Sequence, residues 1–146
     1  MIQLNFKPFN YKFKFKELEQ KTYIFDRVRK KYIQCTPEEW VRQNVIAYLV
    51  EEKGFSLALI AVERGLYYNN MNKRYDLKVY NPQMELVLLV ECKAPNVKLT
   101  QETFLQSLTY AQKQTPQIIM LSNGLHHIYY NTSKKSFVKD FQLIKS

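Results

Sequence analysis

The sequence predicts an α/β or α+β domain built on a mixed sheet. Two observations carry this prediction: a strongly marked helix at residues 36–54 and a dense apolar strand, "LVLLVECKA", at residues 86–94. The order of elements, helix then strands then helix then strands, agrees with them. With 146 residues, the chain is long enough for one core and too short for two ordinary ones. We therefore expect a single domain over 1–146 with an N-terminal extension, 1–34.

The charge balance favours a polyanionic partner such as nucleic acid. Lys and Arg number 22 against 13 Asp and Glu, a net charge of +9, and each neutralised phosphate releases counterions. Many basic proteins have no such partner, so charge alone leaves both readings open. No segment approaches the roughly 18 apolar residues of a membrane span, and the N-terminus lacks a secretory apolar region. We expect a cytoplasmic protein with reduced cysteines and no membrane partner.

The N-terminal extension alternates aromatic and basic residues over 4–16, "LNFKPFNYKFKFK". A period of two indicates a strand or extended arm with one packed face. Contact with nucleic acid is the alternative, and the packed edge hairpin is favoured. The stretch 22–33 has mixed character and is not assigned.

The first helix, 36–54, has clear start and stop signals. Thr36 is a good N-cap and Pro37 fits the first helical position. Glu39 completes a capping box with Thr36, and Gly54 ends the helix. Its apolar stripe at helical spacing consists of Val41, Val45, Tyr48 and Leu49.

The second half of the chain predicts a strand hairpin, a helix and further strands. Residues 74–81 alternate, 82–85 form a turn and 86–94 form the buried strand. A helix over 99–114 is capped by Thr100 and turns Phe104, Leu105, Leu108 and Ala111 to the core. Residues 117–131 read as strand, Asn-Gly turn and strand, and 136–144 as a last strand or short helix.

Two acids and a lysine converge in the predicted hairpin. If 74–81 and 86–94 pair about a centre between Gln83 and Met84, Asp76 lies opposite Glu91 on the same face. Lys93, two residues further on, shares that face. Paired carboxylates repel unless a cation lies between them. Mg²⁺ (or Mn²⁺) suits such oxygen ligands.

This trio suits metal-assisted hydrolysis of a phosphodiester. The backbone carbonyl of Cys92 is an additional ligand candidate, and Lys93 could hold a water or stabilise a phosphate. The alternative is that both acids form ordinary ion pairs with Arg74, Lys78 or Lys93. The pattern leaves these two interpretations balanced.

Five ordered blocks resemble a known family: "TPEEWVRQ", "KRYDLKVYN", "LLVECKAP", "QSLTYAQ" and "LSNG". Together they look like the nuclease domain at the N-terminus of type I restriction enzyme R subunits, within the PD-(D/E)XK, RecB-like superfamily. The resemblance covers roughly residues 35–130. It implies a restriction-endonuclease-like mixed sheet flanked by helices. Tyr75 replaces the usual Pro before Asp76, and no Walker-type stretch is present.

The resemblance also implies roles for particular residues. Asp76 and Glu91 would bind the metal, and Lys93 would be the catalytic lysine. Gln106 and Tyr110 match a Q-x-x-x-Y motif and lie one turn apart on one helix face. Many relatives carry an acid on the first helix, for which Glu38 is the better candidate than Glu39.

The predicted function is metal-dependent hydrolysis of DNA phosphodiesters, with DNA and other restriction-system subunits as partners. Asp76, Glu91, Lys93, Gln106 and Tyr110 are the predicted catalytic residues. The alternatives are a nucleic-acid-binding module without turnover and an accessory subunit of a restriction-like complex.

Overall fold

The structure is a computed structural model that describes residues 1–62, 66–68, 71–73 and 76–140. Its helices are α1 (Pro37–Ala47), which continues into a π-helical turn (Tyr48–Glu52), and α2 (Gln101–Ala111). Short 3-10 turns occupy Leu57–Leu59 and Gln112–Gln114. The strands are β1 (Phe15–Leu18), β2 (Lys21–Asp26), β3 (Lys31–Gln34), β4 (Ile60–Val62), β5 (Leu66–Tyr68), β6 (Met71–Lys73), β7 (Leu77–Tyr80), β8 (Leu86–Cys92), β9 (Ile118–Ser122), β10 (His127–Asn131) and β11 (Ser136–Val138).

A six-stranded mixed sheet forms the centre, in the order β11-β10-β9-β8-β7-β4. Strands β8 and β9 run parallel and are joined by α2, whereas the other neighbours are antiparallel. Strands β1–β3 form a separate three-stranded sheet, and β5 and β6 pair with each other. The predicted mixed α and β architecture is confirmed.

Helix α1 covers one face of the central sheet and α2 covers the other. The α1 side is packed by Val41, Val45, Ile46, Leu49, Leu77, Val79, Leu88, Val90 and Met120. The α2 side is packed by Leu89, Phe104, Ala111, Ile119, Leu121 and Tyr130. Leu88, Leu89 and Val90 on β8 alternate between these two clusters, as expected for a strand buried on both faces. Leu105 was expected in the core, but it is 50% exposed.

The N-terminal signals of α1 are confirmed in part. Thr36 caps the helix, because its hydroxyl accepts a hydrogen bond from the Glu39 backbone N–H at 3.1 Å. The reciprocal half of the capping box is not formed. The Thr36 N–H donates to the Gln34 carbonyl instead, and the Glu39 carboxylate binds arginines.

The N-terminal extension is fastened to the core. Only the end of the aromatic and basic stretch is a strand, whereas β2 and β3 occupy most of the unassigned stretch 22–33. The Trp40 indole N–H donates to the Ile2 carbonyl at 2.9 Å, and the Asn5 N–H donates to the Gly124 carbonyl at 2.7 Å. His127 also bonds the Asn5 carbonyl through Nε2 at 2.6 Å.

The end of the chain is described as far as residue 140. The predicted last element, 136–144, contains the strand β11, and residues 141–144 lie outside the described residues. Within the described part of the chain, neither helix has the length and apolarity that a bilayer crossing requires.

Gly124 and Gly54 offer a matched test of packing around the extension. Both have a positive φ, +85° and +79°, but a Cβ on Gly124 would lie 2.8 Å from a Leu4 methyl and 3.1 Å from a Val41 methyl, whereas Gly54 has open space. We expect Gly54→Ala to cost about 1 kcal/mol for its backbone. Gly124→Ala should cost about 1–3 kcal/mol more for overpacking. Urea unfolding measures both, and equal losses would contradict the close docking of Leu4.

Candidate functional site

The candidate site lies at one edge of the central sheet, where β7 begins and β8 ends. Leu77 pairs with Val90 and Lys78 with Leu89, so continuing this register would set Asp76 level with Glu91. The Asp76 N–H donates to the Val90 carbonyl at 2.9 Å. The predicted register is confirmed for Leu77, Lys78 and Val79, whereas the Asp76 bond to Val90 lies one residue out of it, so the ladder does not extend to an Asp76–Glu91 pair.

The Asp76 carboxylate takes the place of a backbone hydrogen-bond acceptor at this edge of the sheet. It is 1% exposed, and its Oδ2 accepts from the Cys92 backbone N–H at 2.6 Å. In an antiparallel ladder such an N–H faces a backbone carbonyl of the neighbouring strand. The carboxylate thus satisfies a buried donor beyond the start of β7. Its Oδ1 accepts from Arg42 Nη2.

Arg42 binds carboxylates from both α1 and the strand end. Its Nη1 donates to Glu39, and its Nη2 donates to Asp76 and lies 3.5 Å from Glu38. Burial disfavours the guanidinium charge, but Asp76 and Glu39 outweigh burial and raise the pKa of Arg42 above its ordinary value. Arg42 is therefore a fixed cation of the site. Its Nε is buried and has no hydrogen-bond partner among the described residues.

Glu91 and Lys93 lie on the α2 side of the strand end. Glu91 Oε1 is 3.3 Å from Lys93 Nζ, and Glu91 Oε2 accepts a hydrogen bond from the Ser107 hydroxyl on α2. Glu91 is partly buried, whereas the Lys93 side chain is 36% exposed. The amine therefore reaches solvent while α2 orients the acid.

The predicted common face is formed by Glu91 and Lys93, but the Asp76 carboxylate departs from it. Asp76 turns to α1 and is bound by Arg42, whereas Glu91 is bound by α2. The physical reason is that Asp76 precedes β7 and has the Cys92 N–H to satisfy. The expectation that all three side chains share one pocket is corrected accordingly.

The other predicted site residues are distributed around this edge. Glu38, on α1, lies beside Arg42. Gln106 is exposed on α2, and the side chain of Tyr110 lies outside the described part of the structure. Cys92 is buried, and burial together with the charge of Asp76 raises the pKa of its thiol well above the usual value. The buried thiol therefore favours its neutral form.

Sequence reasoning missed Arg42 and Ser107. Ser107 follows Phe104 by three residues and precedes Ala111 by four, so it interrupts an apolar stripe with a hydroxyl. Arg42 similarly adjoins Val41 on a largely buried helix, in which a fixed cation requires a carboxylate partner. A polar residue within a buried stripe was the available signal in both cases.

The strand end carries oxygen donors of the type that hard divalent cations prefer. Asp76 and Glu91 supply carboxylate oxygens on either side of Cys92, whose backbone carbonyl is a third oxygen. The described residues include no group of three or more His, Cys, Asp and Glu side chains suited to a metal. Mg²⁺ commonly uses only one or two carboxylates and keeps several waters. Both acids now take protein donors, so a cation would have to share or replace them.

These features define a class: a mixed α/β domain with acids and a lysine at the ends of adjacent strands, covered by one helix on each face. The family described as type I restriction enzyme R protein N terminus matches residues 37–146. The chain belongs to this family, and the family resemblance inferred from the five sequence blocks is confirmed. Membership indicates a restriction-related role.

The match begins at Pro37, the first residue of α1, so β1–β3 lie before the matched range. The single-domain boundary at 1–146 stays a prediction. Neither the curated proteins nor the solved structures include a match to this chain.

The bond between Arg42 and Asp76 can be tested by a double-mutant cycle. Arg42→Met leaves buried carboxylates without their cation and should cost about 3–5 kcal/mol. Asp76→Asn in the same background should cost less than it does alone, with a coupling energy of about 1–3 kcal/mol. Urea unfolding gives all four free energies.

Lys7→Met provides the control for loss of a positive charge. Lys7 forms an exposed pair with Glu52 at 3.8 Å, so its loss should cost no more than about 1 kcal/mol. If the losses of unfolding free energy caused by Arg42→Met and Asp76→Asn simply add in the double variant, the two side chains do not form a direct buried pair.

Proposed function

We propose that this protein hydrolyses DNA phosphodiester bonds in a reaction that depends on Mg²⁺ or Mn²⁺. The observation that carries the proposal is the presence of the Glu91–Lys93 pair at the end of β8, beside the start of β7 where Asp76 lies, in a chain of the restriction family. A divalent ion bound there would activate a water molecule and withdraw charge from the scissile phosphate. Other restriction-system subunits are proposed as partners on the same ground.

The two acids would hold the cation from opposite sides of Cys92. The Cys92 N–H orients the Asp76 carboxylate and Ser107 orients the Glu91 carboxylate, and the cation would share these oxygens with their protein donors. Preorganised ligands lose little conformational freedom on binding. The Cys92 carbonyl is the proposed third ligand, and Glu38 is a peripheral acid that lies beside Arg42.

Lys93 would act on the attacking water or on the phosphate. Its amine is 3.3 Å from Glu91 and still 36% exposed, so it can contact both a metal ligand and an approaching backbone. Held as an ammonium, it stabilises the negative charge that builds up on the phosphate oxygens. Gln106 and Tyr110, on α2, are proposed to support this side of the site.

One observation favours a second candidate, a module that binds DNA without cutting it. Both carboxylates are already neutralised within the protein, Asp76 by Arg42 and Glu91 by Lys93. Such pairs balance the charge of the strand end without a metal. Cleavage assays separate the two functions.

Removal of the lysine tests turnover directly. Lys93→Ala should lower the rate of Mg²⁺-dependent plasmid nicking by about 100-fold or more, since a charge-stabilising group is lost. Lys98→Ala is the control, because Lys98 is an exposed lysine outside the strand end. Nicking that survives Lys93→Ala, or its absence in the unaltered protein with either metal, would rule out the hydrolytic proposal.

Ser107 should act as a positioning residue for Glu91. Ser107→Ala removes a hydrogen bond to a carboxylate, worth about 1.5–3 kcal/mol. We expect kcat to fall about 10- to 100-fold while KM for DNA stays nearly constant. Titration of Mg²⁺ should show a higher concentration at half-maximal rate, which a purely structural role would not produce. An unchanged metal dependence would contradict this role.

A further inference from the structure

The three-stranded sheet β1–β3 has two chemically different faces. Directly paired residues share a face, so Phe15, Ile24 and Ile33 form one cross-strand row. This inner row adjoins the core: Ile24 is fully buried and the Phe15 ring lies 6.0 Å from that of Trp40. The opposite, outer face carries Lys16, Lys21, Tyr23, Phe25, Tyr32 and Gln34.

The acids of the β1–β3 strands lie on the inner face, where Lys31 pairs with Asp26. Residues 1–34 contain nine lysines and arginines and three acids, so they hold +6 of the net charge of +9. Glu17 and Asp26 point to the inner face, where Glu17 accepts from Thr22 and Asp26 binds Arg29. Glu19 lies in the turn between β1 and β2. The strand positions of the outer face therefore carry lysines and no carboxylate.

Aromatic rings and ammonium groups alternate across the outer face. Phe25 pairs with Tyr32 across the strands, and their ring centroids are 5.3 Å apart. Lys14 Nζ lies 5.7 Å from the Phe25 ring centre, and Lys16 Nζ lies 5.3 Å from that of Tyr32. Tyr32 is 39% exposed. Each ring thus has an ammonium group over it, and Tyr32 is the ring of this pair that is exposed.

We propose that the outer face of β1–β3 binds single-stranded DNA. Unpaired bases would stack on Tyr32 and its neighbouring rings, and the lysines would neutralise the adjoining phosphates. The inference takes the identity of the polymer from the proposed function. The surface itself lies before the range that matches the family.

The chemistry of the face distinguishes this ligand from two others. The bases of a duplex are already stacked on one another, so their faces are not available to the rings. A second copy of the same face would bring lysines against lysines, which repel. A flexible single strand can place both its bases and its phosphates on a shallow surface.

The experiment measures binding without hydrolysis. The full chain, in EDTA, is titrated into a fluorescent oligothymidylate of about 12 nucleotides, a length within the usual site sizes, and into a duplex of equal length. Fluorescence anisotropy at several salt concentrations gives the affinity and its salt dependence. We expect the single strand to bind more tightly than the duplex.

Three variants separate stacking from charge. Tyr32→Leu should weaken binding of the single strand by about fivefold or more without changing the salt slope. Tyr32→Phe keeps the ring and should bind like the unaltered protein. Replacement of Lys16 and Lys21 together by Gln should reduce the salt slope by about 1 to 1.5.

The matched control replaces Lys134 and Lys135 by Gln, an equal change of charge at exposed positions in the turn between β10 and β11. The inference would be overturned if the two double-lysine variants lost the same affinity for the single strand. It would also be overturned if duplex and single strand bound equally tightly, or if Tyr32→Leu bound as tightly as the unaltered protein. Circular dichroism checks that the variants are folded. Since EDTA prevents metal-dependent cleavage, a failure of binding here is distinct from a failure of the nuclease assay.

Discussion

The central constraint in this structure is that Arg42 and its acids are buried together. A buried charge is tolerated only when it is paired and hydrogen-bonded. Arg42 meets this requirement by linking α1 to the end of the central sheet through Asp76. The pairing continues outward, with charges of alternating sign, through Asp26, Arg29, Glu39, Arg42 and Asp76. The turn after β2 and the edge of β7 are thereby held in one framework.

This framework relates the proposed DNA-binding face to the proposed site. Arg29 bonds Asp26 within the turn and reaches Glu39 on α1 at 3.3 Å. Glu39 is also bound by Gln43 at 3.1 Å, so both of its oxygens are in use. Because each charged side chain in this series is paired with the next one, the series fixes the position of the three-stranded sheet relative to the end of β8. The extension is thus a packed part of the described structure.

The sequence was sufficient for features set by local patterns. The cap at Thr36, the apolar stripe of α1 and the hairpin register follow from spacing alone, and the structure has all three. The direction of the Asp76 side chain did not follow, because it depends on the Cys92 N–H that the carboxylate binds and on a helix distant in sequence. Ser107 was overlooked for the same reason: its contact with Glu91 exists only once α2 has packed on the sheet.

The parallel pairing of β8 with β9 bears on the order of folding. Strands β7 and β8 are joined by a short turn, whereas β9 can join β8 only after the whole crossover through α2 has closed. Closing a longer loop costs more chain entropy, and distant pairings form more slowly than local ones. We therefore expect a partly folded chain to pair β7 with β8 while Glu91 still lacks its hydroxyl partner on α2.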